Sequence, residues 1–146
     1  MGVKKTVAIV LVALLCCVAF YFLGNQLVIT ENNLPTELRV IHFYYDAPGA
    51  SRDALSDEIV TDNTVIAEIM DKLEGRYLRL PFDVDFFGVK KEQHQLCISG
   101  PMGSCKDIDI RDNGYVIIDD EAYIRIGDDT EELYYELMEE IKNYDE

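Results

Sequence analysis

Apolar positions along the chain fall into two regimes. Residues 6–23 carry neither a charge nor a proline, an uninterrupted run at the lower limit for a helix that spans a bilayer. Beyond Gly24 the apolar residues come in short groups with a definite period, as in elements that bury one face. Residues 38–45 are β-branched and aromatic and stop at Asp46-Ala47-Pro48-Gly49, which predicts a strand followed by a turn. The polar stretch 50–58 reads as a loop or at most a short helix, with Ile59 and Val60 adding a few extended residues. Thr61-Asp62-Asn63 then offers helix N-caps, and Val65, Ile66, Ile69, Met70 and Leu73 recur at helical spacing up to Gly75. A stripe of that width packs on a sheet.

Residues 76–89 alternate Tyr77, Phe82, Val84 and Phe86 with charged residues, which predicts one or two strands interrupted at Pro81. Four further runs follow closely, at 95–99, 106–111, 115–119 and 122–127. Asp112-Asn113-Gly114 lies between two of them, and Asn and Gly tolerate the positive φ of a type I′ hairpin turn. At the end, Asp129-Thr130-Glu131-Glu132 has the form of a capping box, with Leu133, Leu137, Ile141 and Tyr144 on one side of the helix that follows. The expected fold is α+β: an antiparallel meander sheet with two helices packed on one face. Its parts are a targeting segment over 1–23, a stalk over 24–36 and one domain over 37–146.

Lys4 and Lys5 precede the apolar run and no basic residue follows until Arg39. The positive-inside rule therefore puts the N-terminus in the cytoplasm and the C-terminal domain outside. Phe20-Tyr21-Phe22-Leu23 extend the run beyond an ordinary signal-peptide core, which favours a retained single-pass anchor. Cleavage near Cys17-Val18-Ala19, giving a secreted product, is the second reading, and lipidation of Cys16 or Cys17 the third. Met1-Gly2-Val3-Lys4-Lys5-Thr6 also fits the loose myristoylation pattern, a chance match with a spanning run directly behind it.

Charge narrows the partners. The 146 residues hold 28 acids against 13 bases, a net charge of −15. Without the leader, eleven bases remain against the same 28 acids, or −17 over 123 residues. Nucleic acid is excluded as a partner, because phosphate binding needs clustered Lys and Arg. An anionic membrane surface would repel the domain, whereas a basic partner or a cation would be drawn to it.

The order of these features, from the lysine-led apolar segment through the helix after Thr61-Asp62 to the meander at Tyr123-Ile124-Arg125-Ile126, resembles small membrane-anchored extracytoplasmic domains of unknown function from Gram-positive bacteria. The resemblance implies location and fold, and it brings no catalytic residue across.

Candidate chemistry is sparse. Outside the leader only Cys97 and Cys105 remain, separated by a Gly- and Pro-containing stretch, in a compartment that oxidises thiols. A disulfide between them is expected, worth about 2.5 kcal/mol by loop closure, with two free thiols as the other reading. His42 and His94 stand isolated, so no zinc site is expected. Calcium has hard oxygen donors in the acid pairs Asp83 and Asp85, and Asp107 and Asp109, but an EF-hand frame on Asp109 would put Arg111 in a ligand position. These i, i+2 acids fall on one side of their strands, with Ile108 and Ile110 on the other, and form the expected acidic contact face. No cofactor is expected. The doublets Tyr44-Tyr45 and Tyr134-Tyr135 must each turn one ring outward if their elements are half buried. No nucleophile elbow and no phosphate loop occur.

The function read from the sequence is a membrane-tethered, extracytoplasmic, non-catalytic binding or accessory domain for a protein, peptide or envelope component. The alternative is a small envelope hydrolase or cation-dependent enzyme whose carboxylates converge only in the fold.

Overall fold

The first element is the apolar run itself. In a computed structural model, which describes residues 2–30, 34–45, 52–81, 93–101, 107–127 and 130–145, it is the helix α1, Val3–Gly24. The helix is long and apolar enough to cross a membrane, and no residue in it is buried. Among the described residues eight strands and two more helices follow: β1 (Gln26–Ile29), β2 (Leu38–Tyr45), β3 (Asp53–Val60), α2 (Asn63–Leu73), β4 (Gly75–Arg79), β5 (Gln93–Ser99), β6 (Ile108–Arg111), β7 (Val116–Ile118), β8 (Glu121–Arg125) and α3 (Thr130–Asp145). The strands form one antiparallel sheet in the order β1-β4-β8-β7-β6-β5-β2-β3. The expected α+β class holds, with the meander running through β5 to β8.

Register assigns one face of this sheet to the core. Val40, Ile98, Ile108 and Ile118 are successive cross-strand partners, and all are buried. In the next row Leu96, Ile110, Val116 and Tyr123 follow one another in the same way, starting beside His42. Helix α2 lays Ile66, Ile69, Met70 and Leu73 on this surface, and α3 lays Leu133, Tyr134, Leu137 and Ile141 beside them. All but Tyr134 belong to the stripes set out by the helical spacing. Asp62 caps α2 by accepting from the backbone N–H of Thr64 at 2.7 Å and of Val65 at 3.3 Å. At its other end the buried Tyr77 hydroxyl donates to the Leu73 carbonyl at 2.6 Å, which satisfies an otherwise orphaned acceptor. Asp62→Ala should cost about 1 kcal/mol in a urea titration, and an unchanged midpoint would show that the cap contributes nothing.

Three segments depart from expectation. Residues 26–29 are no stalk: β1 pairs with β4 from Gln26↔Leu78 to Ile29↔Gly75, and Leu27 and Ile29 pack against the core. Residues 53–58 are strand in place of the expected loop or short helix, and run on into the extended Ile59 and Val60 as β3. β3 sits at the end of the strand order, where both of its faces meet solvent and alternation is not required; only Val60 is buried. The Asp112-Asn113-Gly114 turn is a three-residue loop, with Gly114 at φ 89° donating its N–H to the Arg111 carbonyl and Arg111 donating to Tyr115. The tight two-residue turn lies one hairpin later. There Asp119 and Asp120 take φ of 50° and 65° between the paired Ile118 and Glu121. Strand 76–89 is described only as far as Arg79 in β4, and residues 82–92, with the Asp129 cap, lie outside the described residues.

Candidate functional site

Alternation along the strands sends a second set of side chains to the face that turns away from α2 and α3. Ile41, Cys97, Asp109, Ile117 and Ala122 form one cross-strand row there, and Phe43, Gln95 and Arg111 form another. A groove of about 520 Å³ opens over these rows. Tyr45 at the end of β2 and Arg52 just before β3 make one wall, while Arg79, Leu80 and Pro81 make the opposite one.

A polar chain crosses the groove. Arg52 stacks its guanidinium 4.3 Å above the centre of the Phe43 ring and bonds Tyr45. The Tyr45 hydroxyl donates to Gln95 Oε1 at 2.9 Å, and Gln95 Nε2 donates to Cys97 Sγ at 3.3 Å. The Cys97 thiol in turn meets the Asp109 carboxylate. Gln95 is 1% exposed, so this network satisfies a fully buried amide. Burial, seconded by Asp109, pushes the Cys97 thiol up to about 12. It is a protonated donor at neutral pH and a poor nucleophile. Burial also raises the Asp109 carboxyl, against the pull of Cys97, Arg52 and Arg111. Across the groove Arg79 Nη2 pairs with Glu121 Oε1 at 2.6 Å.

Of the expected site residues, Asp109 lies on the groove floor and Asp107 is exposed beside it, lining a smaller recess with Asp119 and Asp120. Asp83 and Asp85 lie outside the described residues. Ile108 and Ile110 do face the core behind these acids, as the alternation required. The expected bridge from Cys97 to Cys105 is not seen: Cys97 is free and engaged by Gln95 and Asp109, and Cys105 lies outside the described residues. Among the described residues no group of three or more His, Cys, Asp or Glu is arranged to hold a metal ion. Sequence reasoning missed Arg52, Arg79 and Gln95. The tyrosine doublet was the one usable signal: Tyr45 turns into the groove while Tyr44 packs on the His94 ring at 5.1 Å.

A second polar cluster lies on the helix side. The histidines that seemed isolated are partners, because the register sets His42 opposite Leu96 and His94 opposite Tyr44, diagonal neighbours on one face. His42 Nε2 lies 3.0 Å from His94 Nδ1 and 3.2 Å from the Tyr134 hydroxyl of α3. Burial lowers the His42 pKa, with His94 and Lys142 acting the same way and Asp112 opposing. Burial raises the Tyr134 hydroxyl. The cluster ties β2, β5 and α3 together.

No protein-family model matches the chain, and neither the curated proteins nor the solved structures give a match.

Proposed function

We propose that the chain is a membrane-tethered extracytoplasmic domain without catalytic activity, which binds a protein, peptide or envelope component on the sheet face turned away from its helices. The observation that carries this reading is α1: 22 residues of apolar helix, none of them buried in the rest of the protein. At 1.5 Å per residue the helix is about 33 Å long, which matches a hydrocarbon core of about 30 Å. Lys4 and Lys5 at its start favour a cytoplasmic N-terminus.

Retention is favoured over cleavage by how the helix ends. The Tyr21 hydroxyl donates to the Arg79 carbonyl at 2.6 Å, and the Arg79 N–H donates to the Asn25 carbonyl at 2.9 Å. A cut after Ala19 would leave that joint on a fraying terminus. Binding is favoured over chemistry by the state of the groove. Its thiol is protonated, its Asp109 is engaged by Cys97, and its Glu121 is held by Arg79.

Two readouts test the reading. The full chain should stay with the membrane pellet through an alkaline carbonate wash, and a reporter fused after Glu146 should be active only on the outer side. Release by carbonate would overturn the anchor, and a reporter active inside would overturn the orientation.

A further inference from the structure

We propose that the groove holds the headgroup of a zwitterionic, ammonium-bearing phospholipid of the phosphatidylethanolamine type, drawn from the bilayer that α1 crosses. The inference rests on the anchoring reading above and names the ligand of that same groove.

Position is the first argument. Only Asn25 separates α1 from β1, so no tether lifts the domain away from the lipid. The bond that the Arg79 carbonyl accepts from Tyr21 and the one that its N–H donates to the Asn25 carbonyl clamp the end of α1 against the end of β4. Arg79 and the Leu80 and Pro81 that follow it are a wall of the groove. Tyrosine is a residue of the membrane–water interface, and the interfacial layer on each side of the hydrocarbon is about 5–8 Å deep. A strand end bonded to Tyr21 therefore lies at headgroup depth, and with it the Arg79 wall of the groove.

Charge is the second. Beyond the leader the chain carries eleven bases against 28 acids, yet among the described residues the groove is lined by three of each: Arg52, Arg79 and Arg111 with Asp109, Asp120 and Glu121. A site with both signs in one concavity suits a ligand with both signs. Guanidinium groups bind phosphate through paired N–H donors. A carboxylate raised by burial, as Asp109 is, gains most from a cation brought beside it. Phosphatidylethanolamine supplies a phosphate and, a few bonds away, an ammonium with three N–H donors. Phosphatidylglycerol lacks the cation, and the trimethylammonium of phosphatidylcholine has no N–H to give. A volume of about 520 Å³ is ample for such a headgroup.

The test uses the full chain in detergent, equilibrated with equal amounts of the three lipids and analysed by native mass spectrometry. One retained phosphatidylethanolamine per chain is expected, in clear excess over the other two. Arg52→Gln and Asp109→Asn should each reduce that retention about tenfold or more, the effect of losing one charge-assisted bond. Arg52 is exposed, so its variant keeps the experiment informative if Asp109→Asn does not fold. Equal retention of the three lipids, or retention untouched by Arg52→Gln, would overturn the proposal. Binding of free phosphoethanolamine without lipid retention would overturn it in favour of a soluble zwitterion. The carbonate wash separates the two levels: a chain that stays in the membrane but keeps no lipid sinks this inference alone.

Discussion

A fragment starting at residue 37 should be far less stable than one starting at residue 24, although the two differ only by a stretch whose Gly, Asn, Thr and Pro read as a tether. The longer fragment keeps β1, whose four residues pair with β4 and send Leu27 and Ile29 to the core. Deleting it turns β4 into an edge and uncovers a strand that carries the fully buried Tyr77 and the nearly buried Leu78. Two partly buried aliphatic side chains at about 1 kcal/mol each, plus a few lost ladder bonds at about 0.5–1 kcal/mol each, sum to roughly 3–5 kcal/mol. That is a large part of the 5–15 kcal/mol that usually separates folded from unfolded. In calorimetry the short fragment should melt roughly 10 °C or more below the long one, and its new edge should promote association. Coincident melting curves would mean that 26–29 contribute nothing and that the domain starts at residue 37 after all.

What made β1 invisible in the sequence also explains the other gaps. A helix declares itself by a stripe several turns long, so α2 and α3 and their buried residues could be read directly, as could the Asp62 cap. Four residues of β1 carry too little period to separate from a linker. β3 carries Asp53, Ser56, Asp57 and Glu58 because an edge strand has one neighbour and little to bury, so its composition looks like loop. The sequence points to a tight turn at Asn113-Gly114, where positive φ costs least, whereas the fold has it at Asp119-Asp120, where the pairing of Ile118 with Glu121 imposes it. The groove and the histidine pair depend on something local pattern does not contain. Both need β2 to lie beside β5, across some fifty residues that include α2 and β4. Once that register is known, His42 meets His94, and Tyr45, Gln95, Cys97 and Asp109 fall into line. The acids at 107 and 109 were correctly placed opposite Ile108 and Ile110, but the bonding of Asp109 to its neighbours follows only from the pairing of Cys97 with Asp109.

The histidine pair should make the protein acid-sensitive in a window where its overall charge would do the opposite. Between pH 7 and 5 a chain with 28 acids and an isoelectric point near 4.3 loses net negative charge, and self-repulsion falls. The raised Glu140 carboxyl, bonded to Glu68, and the raised Asp109 carboxyl act in that same direction, since the folded state takes up their protons more readily. His42 works against them. Its pKa is lowered in the fold, so the unfolded chain binds that proton first. The stability it contributes is complete above the ordinary histidine value near 6.5 and is lost as pH falls below it. Geometry gives the same sign, because one nitrogen, His42 Nε2, faces both His94 Nδ1 at 3.0 Å and the Tyr134 hydroxyl at 3.2 Å. Neutral rings share a single proton along the first contact, whereas two protonated rings would set N–H against N–H. Tyr134 belongs to α3, and a protonated His42 Nε2 can no longer accept from its hydroxyl, so protonation also changes the seam between that helix and β2. Lys142, also on α3, adds to the penalty, and Asp112 offsets part of it. His42→Gln retains a hydrogen-bonding group and removes the titration. The melting temperature of the native chain relative to that variant should therefore fall between pH 7 and 5, and the difference should become independent of pH above about pH 7.5. Parallel curves over that range would show that the fold does not depend on a neutral His42.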